Sequence, residues 1–151
     1  MTMLSVEKIV RRIREADESA VAGLDRDAIQ QVQAAWQVDY LPERYVAFLA
    51  GMGMRAGQLL VGTDAFFPRI LEMREWAISF FDENDGWMRL PDGALVFAMH
   101  QGYLVYWFSD SAAPDPEVVL YMEQEKEPVH VWPSFTGFLN EEYETIYRSP
   151  R

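Results

Sequence analysis

The sequence predicts an α+β fold: helices first, then an antiparallel β-meander, then a closing helix. Three observations carry this. Between residues 6 and 81 apolar side chains recur three and four positions apart, the period of an α-helix. Between residues 94 and 132 they gather instead into short runs parted by turn residues, the mark of strands. From Ser134 onward the helical spacing returns. Helices and strands segregated along a chain point to layers, not to an alternating parallel sheet. With 151 residues, half of them apolar, one domain spanning 1–151 can build a proper core.

The elements follow in order. Val6, Ile9, Val10 and Ile13 make the stripe of a first helix, with Arg11, Arg12 and Arg14 on its wet side. Asp25 is placed to cap a second helix that turns Ile29, Val32 and Trp36 inward. In "YLPERYVAFLAGMG" Pro42 suits the first turn of a third helix, Tyr45, Phe48 and Leu49 form its buried stripe, and Gly51 its C-terminal cap. A short strand is expected at 58–61, then a turn at Gly62, Thr63 and Asp64. Pro68 opens a fourth helix with Ile70, Leu71, Ala77, Ile78 and Phe81 as its apolar positions, and "DENDGW" ends it.

"ALVFAM" and "YLVYWF" flank a three-residue connector containing glycine, a hairpin signal. "SDSAAPDP" reads as a loop, "EVVLYM" as a third strand of the meander, "EQEKEP" as a charged turn and "VHVW" as a fourth strand. Ser134 then caps a last helix whose stripe is Phe135, Phe138, Leu139 and Ile146.

Composition excludes several functions. There is no cysteine, so there are no disulfides, thiolate nucleophiles or thiolate metal sites, in keeping with a cytoplasmic protein. The charged opening stretch lacks the apolar core of a signal peptide, and no apolar run is long enough to span a membrane. Net charge is −11, and it is lopsided: residues 1–62 hold 7 Lys and Arg against 8 Asp and Glu, residues 63–151 hold 6 against 16. Such a surface repels nucleic-acid backbones and attracts a basic protein.

The candidate chemistry is thin. His100 could be a catalytic or metal-binding histidine, but no partner motif accompanies it and His130 stands alone in a strand. As the first residue of a hairpin turn, His100 is expected to bond the loop backbone with its ring. "GMGMRAG" has neither the glycine spacing nor the strand-to-helix setting of a phosphate loop. None of the seven serines stands in a Gly-x-Ser-x-Gly elbow. "DENDG" lacks the ligand order of a calcium loop and reads as a solvated helix end. The aromatics of "YLVYWF" could stack a ligand, although alternating aromatics in strands usually form core and cross-strand pairs. These residues suggest no enzyme, no cofactor and no metal site.

Four segments together resemble a known family: "LPERYVAFL" after a helix, "VGTDAFFP" after a short strand, "LPDGALVFAMHQGYLVYWF", and "DPEVVLYME" leading to "VWPSFTGFL". Over residues 25–147 the chain resembles the SUKH superfamily of Smi/Knr-type proteins. Leu41, Pro42, Tyr45, Phe48 and Leu49 match its first helix motif; Ser134, Phe135 and Leu139 match its closing helix. The resemblance implies helices packed on a curved antiparallel sheet. It also implies a binding function, because the family includes fungal cell-wall-synthesis regulators and bacterial immunity proteins that neutralise toxins, often nucleases. Two features depart from the family: "AGMGM" replaces its common Asn-Gly pair, and the helix within residues 1–20 lies outside the match. No catalytic residues are shared across the family, so none are transferred.

The expectation is therefore a cytoplasmic binding domain that occludes a cognate protein toxin, or another basic protein. The alternative is a regulatory or scaffolding domain of the same fold with no toxin partner. The residues expected to meet the partner are acids in exposed turns: Asp82, Glu83 and Asp85, and Asp110, Asp115 and Glu117.

Overall fold

In the computed structural model, which describes residues 3–148, helix α1 (Val6–Ala16) starts where Ser5 accepts a hydrogen bond from the Lys8 N–H at 3.1 Å. Its predicted stripe of Val6, Ile9, Val10 and Ile13 is buried. Helix α2 (Arg26–Trp36) is capped by Asp25, which accepts from the Ala28 N–H at 2.9 Å, and it buries Val32 and Trp36. Helix α3 (Glu43–Met52) has Pro42 at its cap, one position earlier than expected, and buries Tyr45, Phe48 and Leu49. Two short strands, β1 (Val21–Ala22) and β2 (Arg55–Ala56), pair antiparallel beside it.

Gly51 is not the cap of α3. The helix runs past it to Met52, and Gly53 ends it. Gly51 is where α1 crosses: a Cβ there would stand 2.7 Å from a Val10 methyl, so the missing side chain sets how closely the two helices approach.

The expected strand at 58–61 is a turn. Leu59 and Leu60 are both buried, and Leu60 sits at φ 56°, a left-handed conformation no strand contains. The strand lies just beyond, where a turn was expected: β3 (Thr63–Asp64) pairs Thr63 with His100 and Asp64 with Met99.

Helix four also starts differently. The Phe67–Pro68 peptide is cis, and Arg69–Glu72 forms a 3₁₀ turn before helix α4 (Met73–Asp82) begins. Three residues per turn reset the phase. Met73, Ala77 and Phe80 therefore face inward, whereas Ile78, expected inside, is 47% exposed.

The meander is as predicted: β4 (Leu95–His100), β5 (Leu104–Phe108), β6 (Val118–Met122) and β7 (His130–Trp132) follow β3 in spatial order, all antiparallel. Helix α5 (Phe135–Tyr143) closes the fold, with Ser134 accepting from the Gly137 N–H at 2.9 Å. Ile146 lies beyond it in a wider π-type turn, Glu144–Arg148.

Both faces of the sheet are covered, which is why β4 is apolar almost end to end. On one face Phe80 and Phe81 of α4 meet Trp107 and Tyr121. On the other, Phe97 and Phe108 stack 4.3 Å apart and pack against Tyr45 of α3 and Phe135 of α5. The β4–β5 register slips between Val96 and Ala98, a bulge centred on Phe97. Strand β7 is the open edge, with Val129 and Val131 exposed beside it.

One tie spans the chain. The Leu4 N–H donates to Asn140 Oδ1, and Asn140 Nδ2 donates to the Leu4 carbonyl, both at 2.8 Å. This fastens α1 to α5.

Candidate functional site

The six predicted acids fall at two ends of the sheet. Asp82 ends α4 and Glu83 and Asp85 follow it, whereas Asp110, Asp115 and Glu117 lie in the β5–β6 loop. The first three flank Asn84, a residue that "DENDG" gave no reason to single out. Asn84 is 1% exposed, so this helix end is not the wholly solvated one expected. Its side-chain oxygen accepts from the Gln124 N–H at 2.6 Å; its amide donates to the Tyr121 hydroxyl at 2.9 Å and the Met88 carbonyl at 3.1 Å. Every polar atom of this buried amide is used, which locks the end of α4 onto the β6–β7 turn.

That clamp places two acidic turns side by side. Asp82, Glu83 and Asp85 come against the turn bearing Glu123, Glu125 and Glu127, and all six are exposed. Trp87 stands in the same region, 46% exposed, with Lys126 Nζ 5.5 Å from its ring. A broad, partly exposed indole in a turn that also carries exposed carboxylates has the composition of an interface anchor with a charged rim.

The other three acids make hydrogen bonds within the chain, and Asp110 and Glu117 are exposed. Asp115 accepts from the Thr136 N–H at 2.9 Å, a second cap for α5. Asp110 accepts from the Ala112 N–H and Glu117 from the Ser109 hydroxyl, at 2.9 and 2.8 Å. Strand β6 separates them from the Asn84 end, so the six do not make one patch.

His100 ends β4, and its ring does not bond the loop backbone as expected. Nδ1 lies 3.0 Å from the Thr63 hydroxyl on β3, tying the short outer strand to the sheet. The hairpin turn is Gln101, Gly102 and Tyr103, with the first two at φ 52° and 79°. His130 is on β7, three strands away and on the order of 14 Å at strand spacing, so the two imidazoles do not meet. Among the described residues no group of His, Asp and Glu is arranged to hold a metal ion. No helix among them is long and apolar enough to cross a membrane.

Beside His100 the structure forms a cleft of about 430 Å³ whose walls include Thr63, Tyr103, Tyr106 and Glu142. Burial raises the Glu142 carboxyl above the ordinary carboxylate range, and neighbouring Glu141 raises it further. Burial likewise raises the Tyr106 phenol, with Glu142 and then Tyr103 adding to it. Sequence reasoning missed Glu142, because "NEEYE" on a helix looks like any solvated acidic face.

The SMI1/KNR4 family (SUKH-1) model matches residues 23–141, from just before α2 nearly to the end of α5. No curated protein and no solved structure matches the chain significantly. The matched span holds the Leu-Pro helix, the whole meander and the capped closing helix that the quoted segments marked out. The chain belongs to the SMI1/KNR4 family, SUKH-1.

Proposed function

We propose that this domain works by binding, not catalysis, as an immunity protein that neutralises a cognate bacterial toxin through direct protein contact. One observation carries the reading: the Asn84 clamp joins the turn bearing exposed Asp82, Glu83, Asp85 and Trp87 to the turn bearing exposed Glu123, Glu125 and Glu127. Carboxylates held at fixed exposed positions steer a basic partner on approach, and a half-exposed indole gives it an apolar anchor. A nuclease, basic because its own substrate is a polyanion, is the toxin chemistry that fits. Membership of a family with immunity proteins supports the same reading. So does the engagement of His100 Nδ1 with Thr63, which gives that histidine a structural task.

The test is a salt series of association rates against a toxin encoded beside this gene. Association should slow at least about tenfold between low and physiological salt while dissociation changes less. Asp82→Asn, Glu83→Gln and Asp85→Asn together should reproduce part of that slowing, and Trp87→Ala should speed dissociation. Rates flat with salt and indifferent to both variants would leave the acidic end a solubility feature. The regulatory or scaffolding reading would then take precedence.

A further inference from the structure

We propose that the cleft between β3, the β4–β5 turn and the end of α5 is a receptor for a single guanidinium or ammonium group carried on a side chain of a bound polypeptide. The site is separate from the acidic turns around Trp87, and the proposal holds whether or not the partner is a toxin.

The case starts from what the walls can donate and accept. An ionised carboxylate only accepts hydrogen bonds, and among the described residues no cation pairs with the Glu142 carboxylate. The two ion pairs among the described residues are elsewhere, Arg44 with Glu43 and Arg69 with Asp64. Glu142 is half-buried in this concave site, where an unpaired charge is costly. The polar groups around it are Gln58, Thr63, His100, Tyr103, Tyr106 and, on its own helix, Glu141. None supplies a fixed positive charge. His100 spends Nδ1 on Thr63, leaving Nε2 as its remaining polar atom.

The phenol rings narrow the ligand further. Tyrosine faces are electron-rich and attract cations, most strongly where water is partly excluded. Tyr106 is held in place against Phe97 and Phe138, so one wall is rigid before anything binds. Leu104 and Ile146 add apolar surface for the methylene stem that precedes a charged head. An anion would meet Glu142 with nothing to offset it, and a neutral ligand would leave that carboxylate unpaired. A cation on a flexible apolar stem meets the carboxylate, the tyrosine faces and the apolar walls together. The cleft is open to solvent on one side, so a side chain projecting from a protein surface can enter it.

The experiment is an NMR titration of the isotope-labelled chain with N-acetyl-arginine-N-methylamide, following Tyr103, Tyr106 and His100. Saturable shifts with a dissociation constant of about 1 mM are expected, the scale of a single anchored group. The capped citrulline analogue, which has the same shape without the charge, should bind at least about tenfold more weakly. Glu142→Gln should weaken the arginine probe by a similar factor. Tyr103→Leu, outside the core, should weaken it about threefold. Binding should fade as pH drops through protonation of Glu142, because the cation favours the ionised form.

A parallel titration with free arginine separates the sources. If it binds as well as or less well than the capped form, a polypeptide side chain is supported. If only the free amino acid binds, the polypeptide assignment is overturned in favour of a small metabolite. Absence of saturable shifts, or equal binding by wild type and Glu142→Gln, overturns the receptor itself.

Discussion

The two ends of β6 carry the same kind of residue and use it differently. At the β5–β6 loop, Asp115, Asp110 and Glu117 each accept a hydrogen bond from the chain itself, and Asp115 holds the first turn of α5. At the β6–β7 turn the acids are exposed, and the residue that binds the structure together is the neutral Asn84. A carboxylate already committed to a backbone N–H is poorly placed to meet a partner; one that flanks a buried amide is presented outward. Composition alone cannot distinguish these cases. The hydrogen-bond partner does.

Substitutions can break this contrast, and the largest effect should come from the neutral residue. Asn84→Ala leaves the Gln124 N–H and the Met88 carbonyl without their side-chain partner and takes one of two hydrogen bonds from the Tyr121 hydroxyl, which still donates to the Glu125 carbonyl; it should cost about 1–3 kcal/mol in urea unfolding. A loss below about 0.5 kcal/mol would show that the clamp is not what joins the two acidic turns.

Asp115→Ala comes next. Removing one cap of α5 should cost about 1 kcal/mol while leaving association with a basic partner unchanged. If association slowed and stability held, the two ends would have to exchange roles.

At the Asn84 end, Asp82→Asn, Glu83→Gln and Asp85→Asn combined should change stability by less than about 0.5 kcal/mol, because the side chains are exposed. A large destabilisation would place those acids in the fold after all.

The smallest effect is at Glu142, and its sign is the informative part. Because the folded state raises this carboxyl, the native chain binds its proton more tightly than the unfolded chain does. Stability is therefore greatest below the ordinary carboxylate range and declines as pH rises through the raised value. Glu142→Gln should accordingly stabilise the empty protein at neutral pH and not at about pH 4. Denaturation midpoints at the two pH values check it. The reverse order would mean that Glu142 already has a favourable partner.

Local pattern made much of the fold legible. The α1 stripe, the Asp25 and Ser134 caps and the β4–β5 hairpin rest on interactions within a few residues or on simple periodicity, and each forms as read. What was hidden depends on residues far apart in sequence. Strand β3 exists because Thr63 and Asp64 find His100 and Met99. The inward face of α4 depends on a 3₁₀ turn that shifts its phase, exchanging Ile78 for Phe80. Gly51 looked like punctuation and is a helix crossing. Among the site residues the acids were visible as charge, but Asn84 and Glu142 matter through what they touch across the fold, and no spacing announces that.

The Leu4–Asn140 tie bears on how long the folded state lasts. Its two hydrogen bonds join residues 136 positions apart. In the unfolded chain these groups rarely meet, and the entropy of bringing them together must be met before either bond is made. The tie is therefore expected to form late, after the barrier to folding has been crossed. Interactions absent from the transition state slow unfolding and leave the folding rate almost untouched. Asn140→Ala should then speed unfolding more than it slows folding, shortening the lifetime of the native state, which paired folding and unfolding rates in urea would check.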